Sequence, residues 1–327
     1  MTSVGGMTDP GAGNRLALGS RVGLGTAPLG SSSGWQLWWG VQDEAAAVAT
    51  VRAALDAGIT WIDTAPFYGW GRAEELVGRA VRGRREEVLL LTKCCTVPDG
   101  RGGAVEDGRP AVVRADLEAS LRRLGTDHVD VLQIHDPDPA VPVEETWGEL
   151  QRLIAEGKAR HGGLSNHPVE LMDRAEAIGQ VTVVQHQYSL LWRQPQRDGV
   201  LDWCARRQVP FLAWSPLASG FLVDGFDLDG LDARDFRRRM SWALEPWPKA
   251  LAGLVTELTA AGAPRGLGSQ QLALGWVLRR PGTYAIVGAR TPSEVAALGS
   301  VAAPLTGQEL AAIQAALARL PVEDLQR

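Results

Sequence analysis

Residues 61–69 read W-I-D-T-A-P-F-Y-G, a short apolar run that ends in an acid and is followed by a tyrosine. Two other segments have the same form, L-L-L-T-K at residues 89–93 and V-L-Q-I-H-D at residues 131–136. Short apolar runs are typical of parallel strands that are buried on both faces of a sheet. Each run places an ionisable side chain at or just past its carboxyl end, where barrel enzymes collect their catalytic groups.

Eight such runs alternate with helix-like runs along the 327 residues of the chain. This alternation is typical of a (β/α)8 TIM barrel, an α/β fold of eight parallel strands inside a ring of helices. The predicted strands are residues 21–26, 60–65, 88–93, 129–135, 159–165, 181–187, 210–215 and 284–288. The predicted helices are residues 43–57, 73–81, 111–123, 143–156, 168–178, 199–206, 269–279 and 292–298, with two extra helices at 248–261 and 307–319. Long loops at residues 30–42, 96–109, 190–197 and 217–247 would open on the C-terminal face of the barrel.

The alternative α/β architecture is a doubly wound open sheet, which usually carries a glycine-rich dinucleotide turn that leads into a helix. The closest match is G-L-G-T-A-P-L-G at residues 23–30. Its glycine spacing differs, and a loop rich in Ser and Trp follows in place of a helix. The sequence therefore favours the barrel.

Composition excludes several classes of protein. The net charge is −5 and no basic cluster is interleaved with aromatic residues, so nucleic acid is not an expected partner. No apolar run approaches the ~20 residues that a membrane helix needs, so we expect a soluble, cytoplasmic protein. Cysteines 94, 95 and 204 lack metal-ligand spacing, which predicts no metal site, and their odd number indicates a reducing compartment. Residues 1–14 lack a hydrophobic segment and are expected to be a flexible N-terminal segment, which leaves residues 15–327 as a single barrel domain.

Four residues form a predicted proton-transfer site: Asp63, Tyr68, Lys93 and His135. The chain has only three Lys and three Tyr, so a Lys that ends an apolar strand is not a casual surface charge. Each residue alone has a structural interpretation. Asp63 and Lys93 would be a buried ion pair, Tyr68 a loop anchor and His135 a core histidine. Their joint occurrence at three strand ends favours the catalytic interpretation.

Seven of the twelve tryptophans lie in or beside the long loops. They are Trp35, Trp38, Trp39, Trp70, Trp192, Trp242 and Trp247. Flat apolar side chains on one face predict an aromatic-walled pocket, suited to an aromatic, terpenoid or sugar ring. Within it, Trp35, Trp70 and Trp192 are expected to contact a small-molecule substrate beside His135.

Together these motifs resemble the aldo-keto reductase superfamily, from about residue 21 to about residue 319. Asp63, Tyr68, Lys93 and His135 are similar to the family's catalytic tetrad and occur in the family's order. The family's other segments are matched by G-L-G-T at residues 23–26, G-L-S-N at 163–166, Gln185 and W-S-P-L at 214–217.

The resemblance implies a nicotinamide cofactor that is bound extended across the barrel mouth. Family members transfer a hydride between that cofactor and a carbonyl or an alcohol. By the resemblance, Ser165, Asn166 and Gln185 would bind the carboxamide, and Trp214 would stack on the nicotinamide ring. Three further residues would lie along the pyrophosphate, namely Ser215, Leu217 and Ser219. The remaining expected cofactor contacts are Gly25, Thr26, Asp63, Gly288, Arg290 and Glu294.

The segment expected at the adenine end departs from the family pattern. Arg290 precedes a helix and would pair with a 2′-phosphate there, which favours NADPH, with NADH as the alternative. Glu294 stands where the family often has Gln or Arg, and Ala297 and Leu298 replace its usual Glu-Asn pair. These departures count against NADPH. Thr291 and Glu294 also fit a capping box, so helix capping competes with cofactor contact as the role of Glu294.

The chemistry of the four residues is consistent with the resemblance. Carbonyl reduction needs a proton donor, and Tyr68 can donate although a free tyrosine has a pKa of about 10. Lys93 is the available ammonium that would lower that pKa, and Asp63 would hold Lys93 charged. His135 would orient the carbonyl oxygen by a hydrogen bond.

The primary hypothesis is therefore an NAD(P)H-dependent reductase of an aldehyde, ketone or sugar, with Tyr68 as general acid and base. An NAD-linked sugar or alcohol dehydrogenase would use the same groups in the other direction. A non-catalytic, cofactor-sensing regulatory subunit is a different class, and the intact tetrad counts against it. A Schiff-base aldolase or lyase with Lys93 as nucleophile would not need the cofactor segments.

Overall fold

The computed structural model describes residues 16–298 and 304–321 of the chain. Its strands are β1 (Val22–Gly25), β2 (Trp61–Asp63), β3 (Leu89–Cys94), β4 (Thr96–Pro98), β5 (Ala104–Glu106), β6 (Val129–Ile134), β7 (Ala159–Ser165), β8 (Val183–Gln187), β9 (Phe211–Trp214) and β10 (Thr283–Gly288). Its α-helices are α1 (Glu44–Asp56), α2 (Arg72–Val81), α3 (Pro110–Leu124), α4 (Val143–Ala155), α5 (Val169–Glu176), α6 (Gln194–Arg197), α7 (Val200–Arg207), α8 (Trp247–Gly262), α9 (Ser269–Leu278), α10 (Pro292–Leu298) and α11 (Gly307–Leu317).

Eight parallel strands close into a barrel in the order β1-β10-β9-β8-β7-β6-β3-β2, with β2 paired back to β1. All eight predicted strands are strands of this barrel, so the (β/α)8 TIM-barrel prediction is confirmed. Their carboxyl ends share one face of the barrel, which we call the mouth. The predicted N-terminal segment, residues 1–14, lies outside the described residues.

Two regions predicted as plain loops contain β-strands or an α-helix. Strands β4 and β5 form an antiparallel hairpin within residues 96–109. The Asp99 carboxylate accepts the backbone N–H groups of Arg101 and Gly103 at 2.7 and 2.8 Å, which closes the turn between these two strands. The single-turn helix α6 lies within residues 190–197. The hairpin strands and α6 are too short to show the hydrophobic periodicity from which a strand or helix is predicted.

The barrel interior is built in two layers that follow the two-residue period of a strand. The lower layer is apolar and consists of Leu16, Leu18, Trp61, Leu91, Val131, Val183, Leu212 and Ile286. Two residues further along five of these strands stand Asp63, Lys93, Gln133, Gln185 and Trp214. The alternation that fills the core therefore also delivers polar groups to the mouth, where burial is tolerated only if they are hydrogen-bonded.

Gly23 on β1 makes room for the largest side chain of the lower layer. A Cβ at Gly23 would collide with the ring of Trp61. Trp61 is fully buried and donates its indole N–H to the Ser20 carbonyl at 2.9 Å. The need for a glycine here is steric, because an indole crosses the space that a side chain would occupy.

The fold shows where the cysteines lie, how long and apolar the helices are, and how the metal-ligating side chains are grouped. The cysteines are buried free thiols within the packed core. In residues 16–298 and 304–321, no helix combines the length and apolar character needed to cross a membrane. Over the same residues, no group of three or more His, Cys, Asp or Glu side chains is arranged to hold a metal ion.

Candidate active site

Lys93 is the centre of a buried polar cluster at the mouth. Its ammonium donates to Asp63 Oδ1 at 2.6 Å, to the Thr64 carbonyl at 3.0 Å and to the Tyr68 hydroxyl at 3.1 Å. These contacts use the three N–H groups of the ammonium. Burial opposes the charge, but the Asp63 carboxylate and the Tyr68 hydroxyl outweigh it and raise the pKa of Lys93. Lys93 is therefore an ammonium at neutral pH.

Asp63 is held on its other oxygen by two amides. Gln185 donates to Asp63 Oδ2 at 2.8 Å, and Gln133 donates to the same oxygen at 3.2 Å. Gln185 also donates to Gln133 Oε1 at 3.2 Å. The three side chains are buried, so the Asp63–Lys93 pair belongs to a hydrogen-bonded network and is not an isolated ion pair.

Tyr68 reaches this network from the turn between β2 and α2. Its backbone N–H donates to the Ala65 carbonyl at 3.1 Å, and its carbonyl accepts the Ala73 N–H at 3.2 Å. The next residue, Gly69, has a φ of 63°, and a Cβ there would collide with the Gly30 carbonyl oxygen. Only a glycine therefore allows the turn that presents Tyr68 to Lys93.

The electrostatics of Tyr68 differ from the expectation. Burial raises the pKa of the phenol, and the opposing effect of Lys93 does not cancel that rise. The expected net lowering of the pKa is therefore wrong for this structure, because desolvation of the phenolate outweighs its attraction to the ammonium. Tyr68 is in its acid form at neutral pH.

His135 follows β6 and stands opposite Tyr68. The two ring centroids are 5.9 Å apart and the rings lie at 84° to each other. Burial, together with the Lys93 ammonium, lowers the pKa of His135 well below its ordinary value. The imidazole is therefore neutral, and one of its nitrogens is a hydrogen-bond donor.

Phe67 is the hub of an aromatic group around Tyr68. Its ring centroid lies 5.5 Å from that of Trp35, 5.4 Å from that of Trp70 and 5.9 Å from that of His135. Trp35 is only 3% exposed, whereas Trp70 is half-buried. The structure thus brings two of the predicted substrate-contacting tryptophans to the tetrad, although Trp35 lies mostly beneath its neighbours.

The other loop tryptophans take different places, so the seven do not form one wall. Arg234 lies over Trp38 at 4.4 Å, Arg237 over Trp39 at 4.9 Å, and Trp242 packs against Trp247 at 4.9 Å. Trp192 is half-buried in the turn after β8, where its backbone N–H donates to Ser189 Oγ at 3.0 Å. Long loops need apolar side chains for packing of their own, and the indole rings supply them.

The ends of β7 and β9 carry residues expected to hold a nicotinamide. The Ser165 hydroxyl is buried and has no hydrogen-bond partner among the described residues. Asn166 has a φ of 60° and donates from Nδ2 to Asp136 Oδ1 at 2.8 Å. Its Oδ1 accepts the indole N–H of Trp214 at 3.0 Å. A buried hydroxyl without a partner is uncommon, and this one fits a polar ligand group such as a carboxamide.

The loop after β9 has a strained backbone. Ser215, Ala218 and Ser219 have φ values of 49°, 49° and 58°, in a region that residues with a Cβ seldom adopt. Leu217 lies between them with an ordinary φ of −102°. Such strain costs about 1–3 kcal/mol per residue and is concentrated at functional sites. The strain therefore marks the segment expected to follow the pyrophosphate as a candidate ligand-binding loop.

The ends of β1, β2 and β10 meet beside Asp63. Gly25 pairs with Gly288 on one side and with Asp63 on the other. Thr26 is buried, and its hydroxyl donates to the Asp63 carbonyl at 3.0 Å. A Cβ at Gly25 would meet Ile286 at 2.8 Å and one at Gly288 would meet Pro28 at 2.9 Å, so the two glycines make room for neighbouring side chains.

Arg290, the expected partner of a 2′-phosphate, is tied to the loop after β1. Its guanidinium donates to Gln42 Oε1 at 3.0 Å, to the Trp39 carbonyl at 2.7 Å and to the Val41 carbonyl at 2.6 Å. Burial and the positive charge of Arg237 lower the pKa of Arg290. Arg290 therefore anchors a loop of the mouth, close to a second cation.

Glu294 contributes to the start of α10. Its backbone N–H donates to Thr291 Oγ1 at 3.3 Å, as a capping box predicts. Its carboxylate accepts the backbone N–H of Arg290 at 2.9 Å, whereas in a capping box it would accept the N–H of Thr291. The carboxylate thus binds the backbone at the helix start.

Two residues that were not predicted as site residues also make hydrogen bonds at the mouth, namely Gln133 and Asp136. Gln133 lies two residues before His135, so the two-residue period of β6 places both on the same face. An amide in an otherwise apolar run was the available signal for Gln133. Asp136 directly follows His135, but its contact with Asn166 has no local signal because the two residues meet only in the fold.

Known proteins match both the sequence and the fold. The model of the Aldo/keto reductase family matches residues 21–318. The aldo-keto reductase YhdN of Bacillus subtilis (strain 168) is 35% identical over 291 residues, which are 86% of this chain and 85% of YhdN. The structure of a glycerol dehydrogenase from Gluconobacter oxydans is 34% identical, with a TM-score of 0.83 over 92% of both chains. An aldo/keto reductase from Klebsiella pneumoniae, solved with NADP and acetate, is 31% identical, with a TM-score of 0.70 over 90% of both chains. The chain therefore belongs to the aldo/keto reductase family, a family of NAD(P)H-dependent oxidoreductases.

Proposed function

We propose that this chain reduces the carbonyl group of an aldehyde, ketone or sugar with NADPH, and that Tyr68 donates the proton. The observation that carries the proposal is the line of contacts from Asp63 through Lys93 to the Tyr68 hydroxyl, at 2.6 and 3.1 Å. An ammonium held by a buried carboxylate beside a phenol is an arrangement that serves proton transfer.

The protonation states of the residues suit reduction. Tyr68 is protonated at the start because burial raises its pKa. When its proton leaves for the alkoxide, negative charge forms on an oxygen 3.1 Å from the Lys93 ammonium. A fixed charge placed where charge develops stabilises the transition state more than the ground state. In the reverse direction the same phenolate would accept a proton.

His135 and the aromatic group would position the substrate. A neutral His135 can donate a hydrogen bond to the carbonyl oxygen opposite Tyr68 without competing for the transferred proton. Trp35 and Trp70 would shield that oxygen from water, and Trp192 would contact the part of the substrate nearer the mouth. Exclusion of water strengthens the interaction between Lys93 and the developing phenolate.

A nicotinamide cofactor, when bound, supplies the hydride. The Ser165 hydroxyl, Asn166 and the side-chain amide oxygen of Gln185 would bind its carboxamide, and Trp214 would lie against its ring. The other residues proposed to contact it are Gly25, Thr26, Asp63, Ser215, Leu217, Ser219, Gly288, Arg290 and Glu294. Arg290 beside Arg237 would be stabilised by an added phosphate, which favours NADPH over NADH.

The test is turnover of a panel of aldehydes, ketones and sugars with NADPH and with NADH, followed by the loss of reduced cofactor. We expect saturable turnover with a higher kcat/KM for NADPH. Tight cofactor binding without turnover of any carbonyl would contradict the proposal and favour a regulatory subunit. No binding of either nucleotide would contradict both.

Oxidation of an alcohol is the second candidate, and the similarity to a glycerol dehydrogenase favours testing it. The tetrad serves both directions, because the forward and reverse reactions pass through one transition state. Glycerol and sugar alcohols with NADP+ or NAD+ are the substrates for this assay. A kcat/KM for alcohols with NAD+ that exceeds the value for carbonyls with NADPH would reverse the assignment of direction.

The Schiff-base alternative is disfavoured by the state of Lys93. A nucleophilic lysine must be a neutral amine, which normally requires a lowered pKa. The pKa of Lys93 is instead raised, and its ammonium is bound on three sides. Covalent trapping of a carbonyl compound on Lys93 by borohydride would contradict this assignment.

A further inference from the structure

A line of hydrogen bonds crosses the mouth from β6 to β9. We call it the crossing line and define it as Asp136, Asn166 and Trp214. Asn166 Nδ2 donates to Asp136 Oδ1 at 2.8 Å and to the His135 carbonyl at 3.2 Å, and Trp214 Nε1 donates to Asn166 Oδ1 at 3.0 Å. The line joins the strand end that carries the tetrad histidine to the strand ends that face the proposed nicotinamide.

The hydrogen-bonding groups of Asp136 and Trp214 allow the side-chain amide of Asn166 only one orientation. An indole N–H only donates, so Trp214 must meet the oxygen end of the amide. An ionised carboxylate only accepts, so Asp136 must meet the nitrogen end. A protonated carboxyl at position 136 can also donate, so it no longer selects the nitrogen end, and the His135 carbonyl at 3.2 Å is left to hold Asn166 in the orientation that serves Trp214.

We propose that Asp136 is a positioning residue, which acts through Asn166 to hold Trp214 in the orientation that receives the nicotinamide. The inference rests on the proposed function, because it requires that Asn166 and Trp214 contact the cofactor. Asp136 itself does not need to touch cofactor or substrate.

The surroundings of Asp136 place its titration in the neutral range. Burial first, and then repulsion by Glu106 on β5, raise the pKa of Asp136 to about 7, against the opposing effects of Asn166 and of the Lys93 ammonium. Tyr68 is protonated at this pH and adds no charge. Above the pKa the carboxylate and the His135 carbonyl both accept from Asn166 and hold the amide; below it the longer contact with the His135 carbonyl remains, and the restraint is weaker. Cofactor binding should therefore strengthen as the pH rises through about 7.

The experiment is calorimetric titration of NADH into the wild type, Asp136→Asn, Asp136→Ala and Glu106→Gln between about pH 5.5 and about pH 8.5. NADH is the probe because it lacks the 2′-phosphate, whose own titration near pH 6 would overlap that of Asp136. In Asp136→Asn the size of the side chain is kept and its charge is removed. Glu106→Gln is the matched control, since it removes a neighbouring carboxylate that binds Thr96 and does not contact Asn166.

For the wild type we expect the Kd of NADH to fall about fivefold to tenfold across this range, as one charge-assisted hydrogen bond is gained. Asp136→Asn and Asp136→Ala should both lose this step, and Asp136→Ala should bind about tenfold more weakly at the upper pH. Glu106→Gln should keep the step and move its midpoint to lower pH, because the repulsion that raises the pKa of Asp136 is gone.

A step that persists in Asp136→Asn, or wild-type affinity in Asp136→Ala, would overturn this inference and leave the proposed function intact. A wild type that binds neither NADH nor NADPH would overturn both. A role limited to folding would lower the thermal stability of the Asp136 variants without changing the pH dependence of binding, and this result would also overturn the inference.

Discussion

The two halves of the mouth are built differently. In the half that we propose to be catalytic, at the ends of β2, β3 and β6, the polar groups of Asp63 and Lys93 are bound by other protein atoms. In the half that we propose to bind the cofactor, at the ends of β7 to β10, the Ser165 hydroxyl has no partner among the described residues. We call them the catalytic half and the cofactor half. Thr64, directly after β2, also has a buried hydroxyl without a partner, so the contrast concerns the Asp63–Lys93 cluster, which protein atoms complete, and the Ser165 hydroxyl, which they do not.

Backbone geometry differs between the halves in degree, since Trp70 and Cys95 of the catalytic half also have positive φ. Of the seven non-glycine residues with positive φ in the described chain, four belong to the cofactor half. They are Asn166, Ser215, Ala218 and Ser219. Strain of this kind must be offset elsewhere, and a bound ligand is one source of that stabilisation. Substitutions in the catalytic half should therefore mainly change kcat, and substitutions in the cofactor half should mainly change Kd.

The largest expected effect is that of Tyr68→Phe. Removing the hydroxyl removes the proton donor, so kcat for carbonyl reduction should fall by about 10³-fold or more while the Kd of NADPH stays within about twofold. Stopped-flow turnover and calorimetry measure the two quantities. Tyr284→Phe, on β10 at the lower end of the barrel, is the matched control and should keep wild-type kcat. Wild-type activity in Tyr68→Phe would remove this tyrosine from the mechanism.

Lys93→Met should be the next most damaging change. The phenolate loses its stabilising charge, and kcat should fall by about 10²-fold or more. Asp63 would also be left buried and unpaired, which costs about 3–5 kcal/mol of the free energy of unfolding. Urea denaturation and steady-state kinetics separate these losses. Lys158→Met, which breaks a partly exposed pair with Glu118, is the control and should cost little in either. Unchanged kcat in a folded Lys93→Met protein would contradict the role of the ammonium.

Arg290→Ala tests the far end of the cofactor half. If the guanidinium binds the 2′-phosphate, the Kd of NADPH should rise about tenfold or more and that of NADH much less. A small loss for NADH is expected as well, because Arg290 also anchors the carbonyls of Trp39 and Val41. Arg280→Ala, in an exposed pair with Asp202, is the control. Equal losses for the two nucleotides would mean that Arg290 serves the loop alone.

Ser165→Ala should have the smallest effect and tests the contrast between the halves most directly. Its hydroxyl binds no described protein atom, so the free energy of unfolding should stay within about 0.5 kcal/mol of wild type. The Kd of NADPH should rise about threefold to tenfold, as expected for one lost hydrogen bond. Ser269→Ala is the matched control, because its buried hydroxyl donates to the Leu222 carbonyl at 2.9 Å. The control should lose stability and keep its affinity; the reverse pattern would refute a ligand-binding role for Ser165.

Most of the catalytic half was predictable from local sequence. Asp63, Lys93 and His135 stand at the ends of three apolar runs, and such ends meet on one face of a parallel barrel. Gln133 was within reach of the same reasoning, because it shares the face of His135 on β6. The direction in which the pKa of Tyr68 is shifted could not be predicted, since it depends on how far the fold shields the phenol from water.

The residues assigned to the cofactor half stay predictions, and their contacts could not be predicted from the sequence. Gln185 donates a hydrogen bond to Asp63, and Asn166 donates one to Asp136. The partners in each bond are far apart in the chain. The distribution of the loop tryptophans depends on how long loops pack, which has no short-range periodicity.

The alternation of apolar runs with helical patterns was enough to predict the barrel, and the ends of those runs were enough to place Asp63, Lys93 and His135 on one face, with Tyr68 in the turn that follows β2. The tertiary structure alone decided which polar atoms are paired, which buried ones have no protein partner, and which way each amide faces. Hydrogen bonds are directional over about 3 Å, so these choices depend on the relative placement of strands and loops that only the closed barrel provides.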